Sequence, residues 1–113
     1  MRVLAVPAIH DYLEELVVHL YEKGYFGFEE YAIDYVNDVI NFINTKLPAS
    51  VHRKAPKHYE KYGKKLKHAT YRRNKHTHWY IFFNKYKAKG EIIYMVRYIG
   101  NNHTEAHHLD IRL

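Results

Sequence analysis

The chain has 113 residues, 47% apolar and 27% charged, with a formal net charge of +6 and no cysteine. That length fits one folded domain with a modest core, and that composition is not that of a disordered chain. The lack of cysteine excludes a disulfide framework, thiolate zinc sites and cysteine nucleophiles.

The first segment, "MRVLAV", is a short apolar run closed by Pro7 and reads as a strand. Acids follow it at once, so it does not read as a signal peptide. No apolar run in the chain approaches the roughly 18 residues of a membrane span. A cytoplasmic protein with no membrane association is the expectation. From Ala8 the period becomes helical. Ile9, Leu13, Leu16 and Leu20 share a face, widened by Tyr12 and Val17, until Gly24 ends the run. A second helix starts near Phe28, with Glu29 and Glu30 complementing the dipole of its first turn. Its stripe is Phe28, Tyr31, Ala32, Tyr35, Val39, Phe42 and Ile43, and Pro48 lies just beyond its end. The short loop between the two predicts an antiparallel helical hairpin.

A basic connector, "PASVHRKAPKHYEKYGKKL", follows, with room for one helical turn before Gly63. Three strand-like segments close the chain: "KKLKHATYRRN", "THWYIFFNKY" and "EIIYMVRYIGN". Their connections are short enough for antiparallel hairpins. Strict alternation in the last segment sets Ile92, Tyr94, Val96 and Tyr98 against Ile93, Met95, Arg97 and Ile99. Both rows are apolar, so alternation alone does not decide which one meets the helices. The order strand, helix, helix, strand meander predicts an α+β fold, with the helices on one face of the sheet.

The charge is unevenly placed. Residues 1–50 carry three basic and eight acidic side chains, and residues 51–113 carry fifteen basic and four acidic ones. Eight of the ten histidines also lie in the second stretch. A cationic sheet face interleaved with aromatics suits a nucleic acid. Lys67, Arg72 and Arg73 supply charge there, and Tyr71, Tyr80 and Tyr98 supply stacking surfaces. Histidine, with an ordinary pKa of about 6.5, suits proton transfer near neutrality. Arginine suits a phosphate through its planar two-pronged donor. Such a face has the parts for cleaving RNA by transesterification, without a metal or any other cofactor. A zinc site on His103 and His107, four residues apart, is the competing reading, but it lacks a third ligand of diagnostic spacing.

The chain resembles the RelE/ParE superfamily of bacterial toxin–antitoxin toxins over nearly its whole length. The likeness rests on the order of the elements, the connector "HRKAPKHYEKYGKKL", the strand "THWYIFF" and the terminal block "YMVRYIGNNH". It implies a single toxin domain over residues 1–113, with a helical hairpin on a twisted, mainly antiparallel sheet. RelE-type members are metal-independent endoribonucleases that cut mRNA in the ribosomal A site. ParE-type members inhibit DNA gyrase without hydrolytic chemistry. Both kinds are neutralised by a cognate antitoxin, with which an oligomer can form. Carried over by position, the resemblance places the catalytic groups at His78, Arg73, Arg97, His103 and His108. His78 stands where an arginine is usual. RNA contacts fall on Lys67, Tyr71, Arg72, Tyr98 and Asn102. His103 ranks first among the proton-transfer candidates and His108 second, while His107 turns away if the tail is extended. The leading expectation is an mRNA-cleaving toxin. The alternatives are a gyrase inhibitor and a non-toxic nucleic-acid-binding module.

Overall fold

The computed structural model describes residues 1–109. Its elements are β1 (Arg2–Ala5), α1 (Pro7–Glu22), α2 (Glu29–Thr45), β2 (Arg53–Lys54), β3 (Lys67–Arg72), β4 (His78–Ala88), β5 (Glu91–Asn101) and α3 (Asn102–Glu105). The fold is α+β. One five-stranded mixed sheet runs in the order β1-β5-β4-β3-β2. β1 lies parallel to β5, and the other neighbours pair antiparallel. Among the described residues no helix is long and apolar enough to cross a membrane.

Both long helices cover one face of the sheet. Ile9, Leu13 and Leu16 of α1 and Val36, Val39, Phe42 and Ile43 of α2 pack on Ala69, Trp79, Ile81, Phe83, Tyr94, Val96 and Ile99. Burying one such side chain stabilises the fold by about 1.5–3 kcal/mol, so this layer supplies most of the driving force. The helical period holds, but its first turn in α2 does not join the core. Phe28 and Tyr31 are 62% and 52% exposed and pack edge-to-face on each other. Val36, absent from the expected stripe, takes a place in the core instead.

Strict alternation fails in β5. Phe82 faces Tyr98, but the next residue, Phe83, faces Val96. Arg97 is the extra residue of a β-bulge. The bulge puts Arg97 and Tyr98 together on the face away from the helices and returns Ile99 to the helical side. It settles which row is inward, since Tyr94 and Val96 join the helical core before the bulge and Ile99 joins it afterwards.

The second face is not left open. The connector forms a 3-10 turn at Lys57–Lys61 and lays Tyr59 flat on Phe82, with ring centroids 4.1 Å apart. Tyr62 stacks on Tyr98 at the same separation. Tyr59, Leu66, Tyr80 and Phe82 make a second small core, edged by Ala55, Tyr62, Tyr98 and Leu109. The chain after β5 is also not extended. Asn101 caps α3 by accepting from the backbone N–H groups of His103 and Thr104, and a turn follows. Reasoning about the tail histidines from strand alternation therefore does not apply.

Candidate functional site

Among the described residues, one part of the second face stays uncovered. A basin of about 450 Å³ lies between the β2 edge and the start of β4, lined by Arg53, Lys54, Pro56, His68, Thr70, His78, Tyr80 and Leu109. The ladder explains why these residues meet. Arg53 pairs with His68, Thr70 with Tyr80, and Arg72 with His78. On this face β3 therefore presents His68, Thr70 and Arg72, and β4 presents Phe82, Tyr80 and His78. An arginine–histidine pair stands at each end, four strand positions apart, which is about 13 Å. The backbone between them is floored by Thr70 and Tyr80.

The histidines are unlike ordinary surface imidazoles. His68 is 8% exposed and packs against Phe82 and Tyr80. Among the described residues its Nδ1 and the Nε2 of His78 are buried without a hydrogen-bond partner. A buried polar atom left unpaired costs about 1–3 kcal/mol, and native folds leave few of them. Burial lowers the pKa of His68, and the neighbouring Arg53 charge lowers it further. His68 is therefore neutral at physiological pH and able to accept a proton.

The structure distributes the expected residues differently. His78 and Arg72 lie on this face, at the basin's end. Tyr71 does not, because it belongs to the helical side, where its ring stacks on Phe42 at 4.9 Å. Arg73 turns the same way. It pairs with Asp38 of α2 and lies over the Tyr35 ring. Lys67 opposes Phe83 and so stands in the helical-side row. Arg97 is on the second face but outside the basin, donating from Nε to Asn84, which in turn donates to the Lys64 carbonyl. Tyr98 is already stacked on Tyr62, which removes it as a free platform for a base.

The terminal block is structural for the most part. Asn102 is buried. It accepts from the His78 backbone N–H at 2.9 Å and donates to the His76 carbonyl at 3.1 Å, pinning the β3–β4 turn to the end of β5. His103 faces the other way, into a groove of about 590 Å³ with Leu16, Leu20, Phe26 and Trp79. That groove is larger than the basin but mostly apolar, and no lysine or arginine lines it. His108 stacks on His58 with centroids 3.6 Å apart and planes 5° apart. Desolvation lowers the His58 pKa, and the charges of His108 and Lys61 add to it. Among the described residues no three His, Asp or Glu side chains are grouped so as to hold a metal ion.

Glu105 was not among the site residues singled out from the sequence. It is 4% exposed and accepts from the Tyr59 hydroxyl at 2.9 Å and the Tyr98 hydroxyl at 3.2 Å. Burial and this carboxylate push both tyrosine pKa values up. The carboxylate fits because residue 100 is glycine. A Cβ there would stand 2.5 Å from Glu105 Cγ.

Sequence reasoning missed Arg53, Lys54 and His68 as site residues. The first two belong to a strand of only two residues, too short to show alternation. His68 had a readable signal: it is the polar residue alternating with Ala69 opposite the apolar run Trp79–Phe83 of β4. Comparison of the chain with protein-family models, curated proteins and solved structures finds no match.

Proposed function

We propose that the protein is an RNA-cleaving toxin of the RelE type, acting on mRNA in the ribosomal A site and restrained by a cognate antitoxin. The observation that carries this reading is the pair of imidazoles in the wall of one basin, His68 buried and His78 half-buried, each with one buried ring nitrogen that has no partner among the described residues and each opposite an arginine in the ladder. The superfamily resemblance supplies the class of substrate.

The chemistry needs one proton removed and one delivered. His68, held neutral, takes the proton of a ribose 2′-hydroxyl. The 2′-oxygen then attacks phosphorus, and the bond to the 5′-oxygen breaks. His78 delivers a proton to that leaving oxygen. The products are a 2′,3′-cyclic phosphate and a 5′-hydroxyl. Arg53 and Arg72 offset the negative charge that grows on the phosphate oxygens. These roles replace those first expected of Arg73, Arg97, His103 and His108.

The test is induced expression of the protein in translating cells, followed by mapping of mRNA 5′ ends. Wild type should give discrete new ends and arrest growth. His68→Gln and His78→Gln should each slow cleavage by about 10²–10⁴-fold, while His103→Ala leaves it unchanged. Cleavage at the wild-type rate in the His68→Gln/His78→Gln double variant refutes the assignment.

A further inference from the structure

Two tyrosine hydroxyls on the face away from the helices are committed within the fold, since Tyr59 and Tyr98 both donate to Glu105. Tyr80 differs. It belongs to the small second core with Tyr59, Leu66 and Phe82 and is 4% exposed. Its ring stands across that of His68, with centroids 6.2 Å apart and planes 82° apart. A ring so enclosed has no face left for a base to stack on. Only its edge reaches the basin that it lines. Among the described residues the Tyr80 hydroxyl has no hydrogen-bond partner, and it is not one of the buried atoms left unpaired. It therefore opens on the basin.

Packing alone does not call for this hydroxyl. On this face β4 runs Phe82, Tyr80, His78, from fully buried to half-buried. Phe82 fills the neighbouring place without a polar atom. Burial raises the Tyr80 pKa, so the hydroxyl keeps its proton wherever a histidine titrates and remains a donor. Its position completes the case. Tyr80 pairs with Thr70, and that rung lies two residues from His78 on β4 and two from His68 on β3, about 7 Å along the strands from each. The arginines stand at the two ends, opposite the histidines. A phosphate served by both imidazoles lies over the middle rung, where the donors are the hydroxyls of Tyr80 and Thr70. Thr70 is exposed, and its hydroxyl can turn to water. The Tyr80 hydroxyl is held by its buried ring. A donor fixed in advance costs no reorganisation when charge develops.

We infer that the Tyr80 hydroxyl donates a hydrogen bond to a non-bridging oxygen of the scissile phosphate, midway between the two imidazoles. The inference rests on the basin being the site of cleavage. Tyr80 transfers no proton. The proton of the 2′-hydroxyl still goes to His68, and His78 still protonates the leaving oxygen. What the hydrogen bond stabilises is the charge that grows on the phosphate as the 2′-oxygen attacks.

The experiment is single-turnover cleavage of an mRNA on ribosomes with an empty A site, with the purified protein in excess, over the pH range in which histidines titrate. Tyr80→Phe keeps the ring and its packing and loses only the donor. The maximal rate should fall by about 10²–10³-fold, the effect of removing one such donor. The protein concentration that gives half the maximal rate should stay as in wild type, as expected of a contact made only in the transition state. The loss should be the same factor at every pH, because no proton moves. The His68 ring should titrate in the variant as in wild type, which shows the basin intact. Thr70→Val should lose less than Tyr80→Phe. A wild-type maximal rate in Tyr80→Phe overturns the inference and leaves the cleavage reading standing. So does a loss confined to the half-saturating concentration, a loss whose size changes with pH, or a larger loss in Thr70→Val. If the wild-type protein leaves the mRNA whole, the cleavage reading fails and takes the inference with it.

Discussion

The sheet face turned away from the helices has two halves, and they handle polar groups in opposite ways. In the half under the connector, the buried carboxylate of Glu105 receives two tyrosine hydroxyls, and Tyr59 and Tyr62 lie flat on the rings below them. In the half beside β2, two imidazoles keep buried nitrogens without partners, under a basin lined by Arg53 and Lys54. A satisfied buried network rigidifies a core, whereas an unsatisfied one is stable only where the rest of the fold compensates for it. The first half holds the connector down. The second carries the cost of two buried ring nitrogens that have no partner among the described residues.

This contrast can be broken from either side. The largest effect belongs to Tyr59→Ala in the sealed half. It removes a fully buried ring and leaves Glu105 short of a donor. It should cost about 3–5 kcal/mol, read by urea unfolding, and lift the connector off Phe82. A loss under 1 kcal/mol would mean that the two halves do not differ. Gly100→Ala comes next. The new methyl would press on Glu105 Cγ at 2.5 Å, which overpacking values put at about 1–3 kcal/mol. Its unfolding midpoint should drop while the His68 ring titrates as before, as followed by NMR.

The smallest effect belongs to the open half and depends on pH. The folded state lowers the pKa of His68. The unfolded chain therefore binds a proton more readily, and stability is fully present above the ordinary value of about 6.5. It is lost as pH falls through the folded value. His68→Gln should flatten this acid limb of the stability curve. An unchanged limb would show that His68 is solvated in the folded protein.

Much of this architecture is legible in the sequence. The helical stripes, the α+β order and the bounds of β5 follow from periodicity, because period 3.6 and period 2 each act locally. What local patterns cannot carry is an irregularity. Nothing in "YMVRYIGN" marks Arg97 as a bulge, since neither glycine nor proline stands at position 97 or beside it. That single extra residue moved Arg97 and Tyr98 onto one face and Ile99 onto the other. The candidate site was only partly legible for a related reason. His78 and Arg72 could be placed from strand alternation, but Arg53 and Lys54 owe their positions to a two-residue pairing with β3. The tail misled because Asn101, the last residue of β5, is also the cap of a helical turn. His103 and His108 consequently point to different sides of the molecule.

The parallel pairing of β1 with β5 has a consequence in time. Arg2 waits for Ile93, and Ala5 for Val96. The helical hairpin has local contacts and can form as soon as its residues leave the ribosome, since near neighbours in sequence meet fastest. The sheet cannot close until β5 has been made, about 90 residues after β1. Between those moments β1 has no strand to join, and the basin, which needs β4 registered on β3, is absent until β4 emerges. The surface proposed to cut RNA is thus assembled long after the helical hairpin.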